Sequence, residues 1–232
     1  MRTNVPGGIR ILGSDRDGRR VDAGHLAHGE RPEALLARQG WLAESALAAD
    51  VVDGGALEVS YRVSELSGIR TETEDVPRDP GVGADEVGDP YQRVAAYALV
   101  TSRHGLLLTQ FNDQTHVAGD WGLPGGGLAD GESPTEAVHR EVWEETGQRI
   151  ELGSLLEVQS SHWIGRAPSG VLEDFHAVRI VYRATCPEPG AVVIHDVGGT
   201  TADARWVPLD DLGDLRLSRS WHHLPDLVAA GP

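Results

Sequence analysis

The sequence predicts an α/β fold in which a mixed sheet carries helices on both faces, preceded by a small N-terminal helix and strand unit. Two observations support this fold class. Strand-like segments lie both before and after one helix-like segment at residues 134–146, and a second helix-like segment ends the chain. Strands on both sides of one central helix favour a sheet covered by helices. A chain of 232 residues is long enough for one domain of ordinary size and an additional segment.

The first third of the chain predicts a small unit followed by a linker. Residues 1–31 are rich in Gly, Arg and Asp and lack sustained periodicity, so we expect a loop or a loosely attached segment there. Residues 32–41 favour a short helix with a proline start and a glycine stop, and the alternation in residues 57–63 predicts a strand. Residues 67–90 combine proline, glycine and acidic side chains, a composition typical of a mobile linker. The first predicted unit is therefore residues 1–66.

The main domain is predicted at residues 91–215, because the apolar content rises sharply at its start. A hairpin is expected first, and a short strand leads into a glycine-rich turn before the central helix. The remaining chain, residues 216–232, predicts a terminal helix or tail that Pro225 divides into two short pieces. The predicted strands of the domain are residues 93–102, 105–111, 152–163, 175–186 and 202–209.

The central helix has clear start and stop signals. Ser133 is placed to be its N-cap, Pro134 its first residue, and Glu136 the partner that closes a capping box. Gly147 is suited to end the helix in the left-handed conformation. These signals predict a helix of about 13 residues, with Val138 facing the core.

Three carboxylates share one face of this helix, outside the predicted core: Glu141, Glu144 and Glu145. Like charges at these spacings destabilise a helix, so their clustering favours a bound cation over the alternative of a solvated acidic face. Magnesium prefers oxygen ligands and often combines one or two carboxylates with water and substrate phosphates. The cluster beside a glycine-rich turn therefore predicts a metal site.

The turn and the helix together fit the pattern G-x5-E-x7-R-E-U-x-E-E-x-G-U, in which U is an aliphatic residue. This pattern resembles the signature of the Nudix hydrolases, and the resemblance covers about residues 92–212. It implies the α/β/α sandwich of that family. The pattern departs from the signature once, because Gln148 stands at the last aliphatic position and Ile150 is the apolar residue two positions later. The matching residues are Gly126, Glu132, Arg140, Glu141, Val142, Glu144, Glu145 and Gly147.

The resemblance implies a role for each matched residue. The three helix carboxylates would hold Mg²⁺ or Mn²⁺, and the backbone carbonyl of Gly125 or Gly126 would add a ligand. Arg140 has acidic neighbours four residues away on either side, so we expect it to orient carboxylates without touching the metal. Glu132 is expected to brace the loop against the helix. The candidate catalytic residues are Glu132, Arg140, Glu141 and Glu144; the candidate metal ligands are Gly126, Glu141, Glu144 and Glu145.

The chemistry that the resemblance implies is displacement at phosphorus, in which a bound metal neutralises charge and activates a water. The base is either a glutamate of the motif or an acid on a distal loop, and the sequence leaves this choice open. His162, Trp163 and Arg166 are candidates for substrate binding, by stacking on a base or by contacting a phosphate, and a place in the core is the alternative for Trp163. The distal acids are Glu173, Asp174, Asp196 and Asp203.

The composition restricts the partners and the compartment. Acidic residues outnumber basic ones 36 to 20, a formal charge of −16, which disfavours duplex DNA and anionic membranes. The single cysteine, Cys186, permits no internal disulfide, and the sequence shows no zinc-binding spacing. The N-terminus lacks the apolar stretch of a signal peptide, so we expect a cytoplasmic protein.

Two classes of function remain. The first is a metal-dependent pyrophosphohydrolase acting on a small nucleotide, preferably ADP-ribose or a nucleotide sugar, with a nucleoside triphosphate, oxidised or not, as the alternative substrate. The second is a Nudix-like sensor that binds such a compound without cleaving it. Sensors of this kind usually lose motif glutamates or gain a basic DNA-binding domain, whereas this chain keeps every motif acid. By analogy with dimeric Nudix relatives, we expect the N-terminal unit to support dimerisation or packing, so a homodimer is predicted.

Overall fold

The computed structural model describes residues 1–67, 75–196 and 198–229, so part of the predicted linker lies outside the described residues. The chain forms two compact units. The first unit consists of residues 1–96, 127–137 and 154–181. The second unit consists of residues 97–126, 138–153 and 182–232.

The N-terminal part of the first unit is a four-stranded sheet with the strand order β3-β2-β5-β4. Strand β2 pairs with β5 in parallel and with β3 in antiparallel orientation. Alternate residues of β5, including Val59 and Val63, are fully buried, which is the alternation that predicted this strand. The elements are β1 (Arg2–Thr3), β2 (Ile9–Ser14), β3 (Arg20–His25), α1 (Pro32–Arg38), β4 (Trp41–Val51) and β5 (Leu57–Glu65).

The prediction of a loop at residues 1–31 was wrong, because β2 and β3 lie there. The apolar signal of β2 is confined to six residues, in which Ile9 and Ile11 are buried and Arg10 is only partly covered. Strand β4 was also missed. Its alanine-rich sequence has little intrinsic preference for a strand, and pairing with β5 along its length determines its conformation.

The larger sheet has eight strands in the order β10-β11-β6-β7-β12, with β1 and β9 paired to β6 and β8 paired to β7. It is mixed, since β1 is parallel to β6 whereas β12 is antiparallel to β7. The predicted α/β class with a mixed sheet is therefore confirmed. The elements are β6 (Asp89–Ser102), β7 (Gly105–Phe111), β8 (Trp121–Gly122), β9 (Gly125–Gly127), α2 (Pro134–Thr146), β10 (Glu151–Arg166), β11 (Leu172–Thr185), β12 (Thr201–Val207), two 3₁₀ turns (Leu209–Asp214 and Arg219–Trp221) and α3 (Leu224–Ala229).

Residues near the N-terminus are hydrogen-bonded into the first unit. The side-chain amide of Asn4 donates to the carbonyls of Val94 (2.8 Å) and Leu128 (3.0 Å) and accepts from the amide of Val94 (2.8 Å). In the described end of the predicted linker, Asp79 and Ile164 are joined by a backbone hydrogen bond of 2.9 Å. The boundaries at residues 66, 90 and 215 stay predictions.

No helix among the described residues is long and apolar enough to span a membrane.

Candidate active site

Helix α2 begins and ends as its capping signals predict. The amide of Ser133 donates to the Glu136 carboxylate at 2.9 Å, and the amide of Glu136 donates to Ser133 Oγ at 3.3 Å. This reciprocal pair satisfies two donors that the first turn of a helix leaves unpaired. Gly147 follows the helix with a φ of 68°, the left-handed conformation. The helix is anchored by Val138 and Val142, both fully buried.

The three carboxylates of α2 have different exposure. The side chain of Glu144 is 40% exposed and that of Glu141 is 16% exposed. Glu145, in contrast, is buried with only 7% exposed, so the expectation that all three acids lie outside the core was wrong for this residue. Burial of one acid of the cluster is tolerated because its oxygens are hydrogen-bonded.

The carboxylate of Glu145 accepts two hydrogen bonds within the second unit. The amide of Gly125 donates to Oε2 at 2.9 Å, and the hydroxyl of Thr201 on β12 donates to Oε1 at 2.6 Å. Burial, together with the negative charges of Glu141 and Asp196, nevertheless raises the pKa of Glu145 to about 7. A buried carboxylate among other negative charges is a group that a bound cation stabilises.

Arg140 connects the other two acids. Its Nη1 atom donates to Glu141 Oε1 at 2.8 Å and to Glu144 Oε2 at 3.0 Å. Charge-assisted hydrogen bonds of this kind hold both carboxylates in fixed positions. In the first unit, Glu132 accepts a hydrogen bond from the amide of Ala129 at 2.8 Å and so closes the turn that precedes the helix.

The glycine turn lies directly against the Glu141 carboxylate. A Cβ atom on Gly126 would fall 2.4 Å from Glu141 Oε1, closer than real Cβ contacts come. Only glycine therefore allows the backbone of β9 to approach this acid. The donor set that the structure shows consists of carboxylate oxygens, one of them on a buried acid, and it fits the oxygen preference of Mg²⁺ or Mn²⁺.

The four distal acids fall into two groups. Asp196 follows a segment that is hydrogen-bonded to the end of α2, since the amides of His195 (2.7 Å) and Asp196 (3.0 Å) both donate to the carbonyl of Glu144. Asp203 is exposed on β12 in the same unit. The other two belong to the first unit: Glu173 pairs with Arg2, and Asp174 contacts two histidines.

The candidate substrate-binding residues all lie on the part of β10 that belongs to the first unit. Trp163 packs against Phe175 with ring centroids 4.7 Å apart, and Arg166 donates to Glu86 at 2.8 Å. His162 Nε2 lies 2.5 Å from an oxygen of Asp174. Their role in substrate binding stays a prediction.

Sequence reasoning did not find Thr201 as a partner of the motif. It lies 56 residues from Glu145, at the first position of a strand, and a single threonine there carries no local pattern. One signal could have indicated it: Thr201 lies where the glycine-rich sequence after Asp196 meets a predicted strand, and functional residues are often found in such connecting segments.

A family model described as the NUDIX domain matches residues 91–227. The chain belongs to the Nudix family. Among similar curated proteins, an RNA pyrophosphohydrolase from Rhodopseudomonas palustris (strain BisB18) is 33% identical over 117 residues, which cover 44% of this chain and 62% of the relative. A GDP-mannose pyrophosphatase from Yersinia enterocolitica is 32% identical over 123 residues, covering 48% of this chain and 60% of the relative.

The chain thus spans less than two thirds of the length of these Nudix relatives. Among solved structures, the crystal structure of a MutT NUDIX hydrolase from Burkholderia pseudomallei is similar, with 28% sequence identity and a TM-score of 0.46. That match covers 59% of this chain and 98% of the other.

Proposed function

We propose that this protein is a pyrophosphohydrolase dependent on Mg²⁺ or Mn²⁺, which cleaves the phosphate chain of a small nucleotide and releases a nucleoside monophosphate. The preferred substrate is a nucleoside diphosphate linked to another moiety, such as ADP-ribose or a nucleotide sugar. The observation that carries the proposal is the packing of the glycine turn against the α2 carboxylates, with Gly126 in contact with Glu141 and the Gly125 amide bound to the buried Glu145.

Glu141, Glu144 and Glu145, with a carbonyl of the glycine turn, would hold the metal. When bound, the ion neutralises charge on the diphosphate and lowers the pKa of a coordinated water. Thr201 and the Gly125 amide keep the Glu145 oxygens in place, and Arg140 does the same for Glu141 and Glu144. These contacts support a preorganised site. Positioning and electrostatic stabilisation provide most of the catalysis in phosphoryl transfer.

Two acids of the second unit are candidates to accept the proton of the attacking water. Glu144 is the most exposed of the three motif acids on α2, so its carboxylate is accessible to a substrate. Asp196 is also exposed and lies close enough to Glu145 to raise the pKa of that carboxyl. Asp196→Asn at saturating Mg²⁺ separates them, because Asp196 is not one of the proposed metal ligands. A large loss of kcat with unchanged metal affinity would identify Asp196 as the base, and a kcat near that of the wild type would favour Glu144.

The preference for a small nucleotide rests on charge and on similarity. A formal charge of −16 disfavours a polymer with a phosphate backbone, although one curated relative is named an RNA pyrophosphohydrolase. The relative named a GDP-mannose pyrophosphatase supports the nucleotide-sugar type. Nucleoside triphosphates, oxidised or not, are the alternative.

The test is a substrate panel with purified protein and Mg²⁺, followed by chromatography of the products. ADP-ribose, GDP-mannose, nucleoside triphosphates and a 5′-triphosphorylated RNA oligonucleotide are compared at equal concentration. We expect AMP with ribose phosphate, or GMP with mannose phosphate. Pyrophosphate as the main product would indicate the triphosphate alternative or, with the RNA, the activity that one relative's name states. Tight binding of a nucleotide without cleavage in Mg²⁺ or Mn²⁺ would contradict the hydrolase proposal and favour the sensor.

A further inference from the structure

A second cluster of metal-ligating side chains lies in the first unit, separate in sequence from the Nudix motif. His28 precedes α1, His162 lies on β10 and Asp174 lies on β11. One nitrogen from each histidine and one oxygen from the aspartate all lie within 4.8 Å of one another. About a fifth of each side chain is exposed.

Both histidines point the same atom at the same oxygen. His28 Nε2 lies 3.1 Å and His162 Nε2 lies 2.5 Å from Asp174 Oδ1. Ligand atoms around a tetrahedral zinc ion are roughly 3.3 Å apart, as bond lengths of about 2.0–2.1 Å require. The distance from His28 is close to this spacing, and the distance from His162 is shorter.

His28 has an unsatisfied polar ring. Both of its nitrogens are buried, and neither makes a hydrogen bond of regular geometry with any part of the chain that the structure describes. Nε2 has the ion pair with Asp174 Oδ1 at 3.1 Å, and Nδ1 has no partner among the described residues. Buried polar atoms are nearly always paired, so an unpaired imidazole facing a carboxylate and a second imidazole indicates a missing partner. A cation would bind the lone pair of one of these nitrogens, Nε2, which faces the cluster.

The surroundings fix the geometry of the cluster. A Cβ atom on Gly29 would fall 2.4 Å from His162 Nδ1, and this glycine has a φ of 74°, so a side chain there would displace the His162 ring. The Gly29 amide donates to His176 Nδ1 at 3.0 Å, which holds the backbone next to His28 in place. Ser160 Oγ donates to the carbonyl of Glu30 at 3.2 Å and secures the same segment.

His176 itself belongs to the support of the cluster. Its Nδ1 atom accepts from Gly29 and also lies 2.9 Å from the side-chain nitrogen of Gln92, so Nδ1 acts as the acceptor. Its proton is then on Nε2, where it faces Ser160 Oγ at 2.9 Å. Both nitrogens are occupied, which leaves three protein ligands in the cluster.

We propose that His28, His162 and Asp174 form a second metal site that binds Zn²⁺ through two imidazole nitrogens and one carboxylate oxygen. Two imidazoles favour zinc over magnesium, which prefers oxygen ligands. Three protein ligands leave a fourth position for water, and bound zinc joins residues 26–31 to strands β10 and β11. The ligands are 134 and 12 residues apart along the chain, so no compact zinc-binding spacing exists in the sequence.

The first experiment measures Zn²⁺ binding by calorimetry in saturating Mg²⁺, which occupies the carboxylates of α2. We expect one equivalent to bind tightly to the wild type. Replacing even an outer-shell partner of a metal ligand costs roughly 10–100-fold in affinity, so His28→Ala and Asp174→Asn should each weaken binding by at least about tenfold. His25→Ala, an exposed histidine of the same unit, is the matched control and should leave binding unchanged.

X-ray absorption of the zinc-loaded wild type tests the site without relying on any variant. The expected spectrum contains the scattering of two imidazole rings and of oxygen donors. An oxygen-only shell, unchanged affinity in both ligand variants, an equal loss in His25→Ala, or no zinc binding to the wild type would each overturn the proposal. Because magnesium-dependent hydrolysis is measured separately, failure of this site leaves the proposed activity unaffected.

Discussion

Replacing Thr201 by valine should weaken metal binding by a defined, pH-dependent amount. The threonine hydroxyl donates to Glu145 Oε1 at 2.6 Å, and valine has the same shape without the donor. A hydrogen bond to a charged group contributes about 1.5–3 kcal/mol, and one pKa unit corresponds to about 1.4 kcal/mol. The pKa of Glu145, already raised to about 7 by burial, should therefore rise by about one to two further units.

The consequence for Mg²⁺ follows from competition with the proton. At pH 7 about half of the wild-type Glu145 carboxyls are ionised, whereas about a tenth or fewer would be ionised in Thr201→Val. Since the metal binds the ionised form, apparent affinity at pH 7 should fall about fivefold or more. At pH 9 the difference should shrink to about 1.1-fold for a one-unit shift and about twofold for a two-unit shift.

The assay is calorimetric titration with Mg²⁺ at both pH values. Thr201→Ser keeps the hydroxyl and should behave nearly as the wild type, and Thr200→Val, at an exposed neighbouring position, controls for the added methyl group. Unchanged affinity at pH 7, or the same loss at pH 7 and pH 9, would refute the role assigned to this hydrogen bond.

Three further predictions concern the same site. Glu141→Gln and Glu145→Gln should each lower kcat at least about 10²-fold, as the loss of one group that stabilises a transition state does. Asp210→Asn, at an exposed position, is the control and should leave kcat unchanged. Near wild-type turnover of either Gln variant at saturating Mg²⁺ would contradict the metal assignment. Gly126→Ala should weaken Mg²⁺ binding without changing the circular dichroism spectrum, because the new Cβ would lie 2.4 Å from Glu141 Oε1. Gly213→Ala, where the added Cβ meets open space, is the control. Equal Mg²⁺ affinity of the two variants would contradict the contact between Gly126 and Glu141. In chelator, the free energy of unfolding should fall by roughly 2–3 kcal/mol as the pH rises from 4.5 to about 7, because the folded state holds the Glu145 proton that the unfolded chain has lost. Denaturation curves of Glu145→Gln should lack this pH-dependent fall in the free energy of unfolding, and Mg²⁺ should abolish it in the wild type. An identical pH profile of stability for the wild type and the variant would contradict the raised pKa.

The features predicted correctly from the sequence are those encoded by neighbouring residues. The capping box of Ser133 and Glu136, the stop at Gly147 and the buried Val142 all lie within one short stretch, so the bounds of α2 could be read directly. The hairpin of β6 and β7 was found for the same reason, and pairing of Thr101 with Leu106 confirms it.

The features that were missed depend on contacts between distant parts of the chain. Strand β4 becomes a strand through its pairing with β5, and Thr201 becomes relevant only because folding brings β12 to Glu145. The His28, His162 and Asp174 cluster joins three separate elements in the same way. The homodimer and the cytoplasmic location stay predictions, because a single chain carries no direct record of either.

Gln148, the one departure from the motif, is explained by the hydrogen bonds of its buried side chain. It is 3% exposed, as the aliphatic residue of the pattern would be, whereas Ile150 is only partly covered. Its Oε1 accepts from the amide of Gly190 at 2.9 Å, and its Nε2 donates to the carbonyl of Ala191 at 3.1 Å. Leucine at this position would restore the pattern but remove both hydrogen bonds, each of which contributes about 0.5–1.5 kcal/mol. Gln148 therefore holds in place residues 190–191, at the start of the segment that leads to Asp196. In this way the residue that departs from the motif connects the end of α2 to the segment that carries a candidate base.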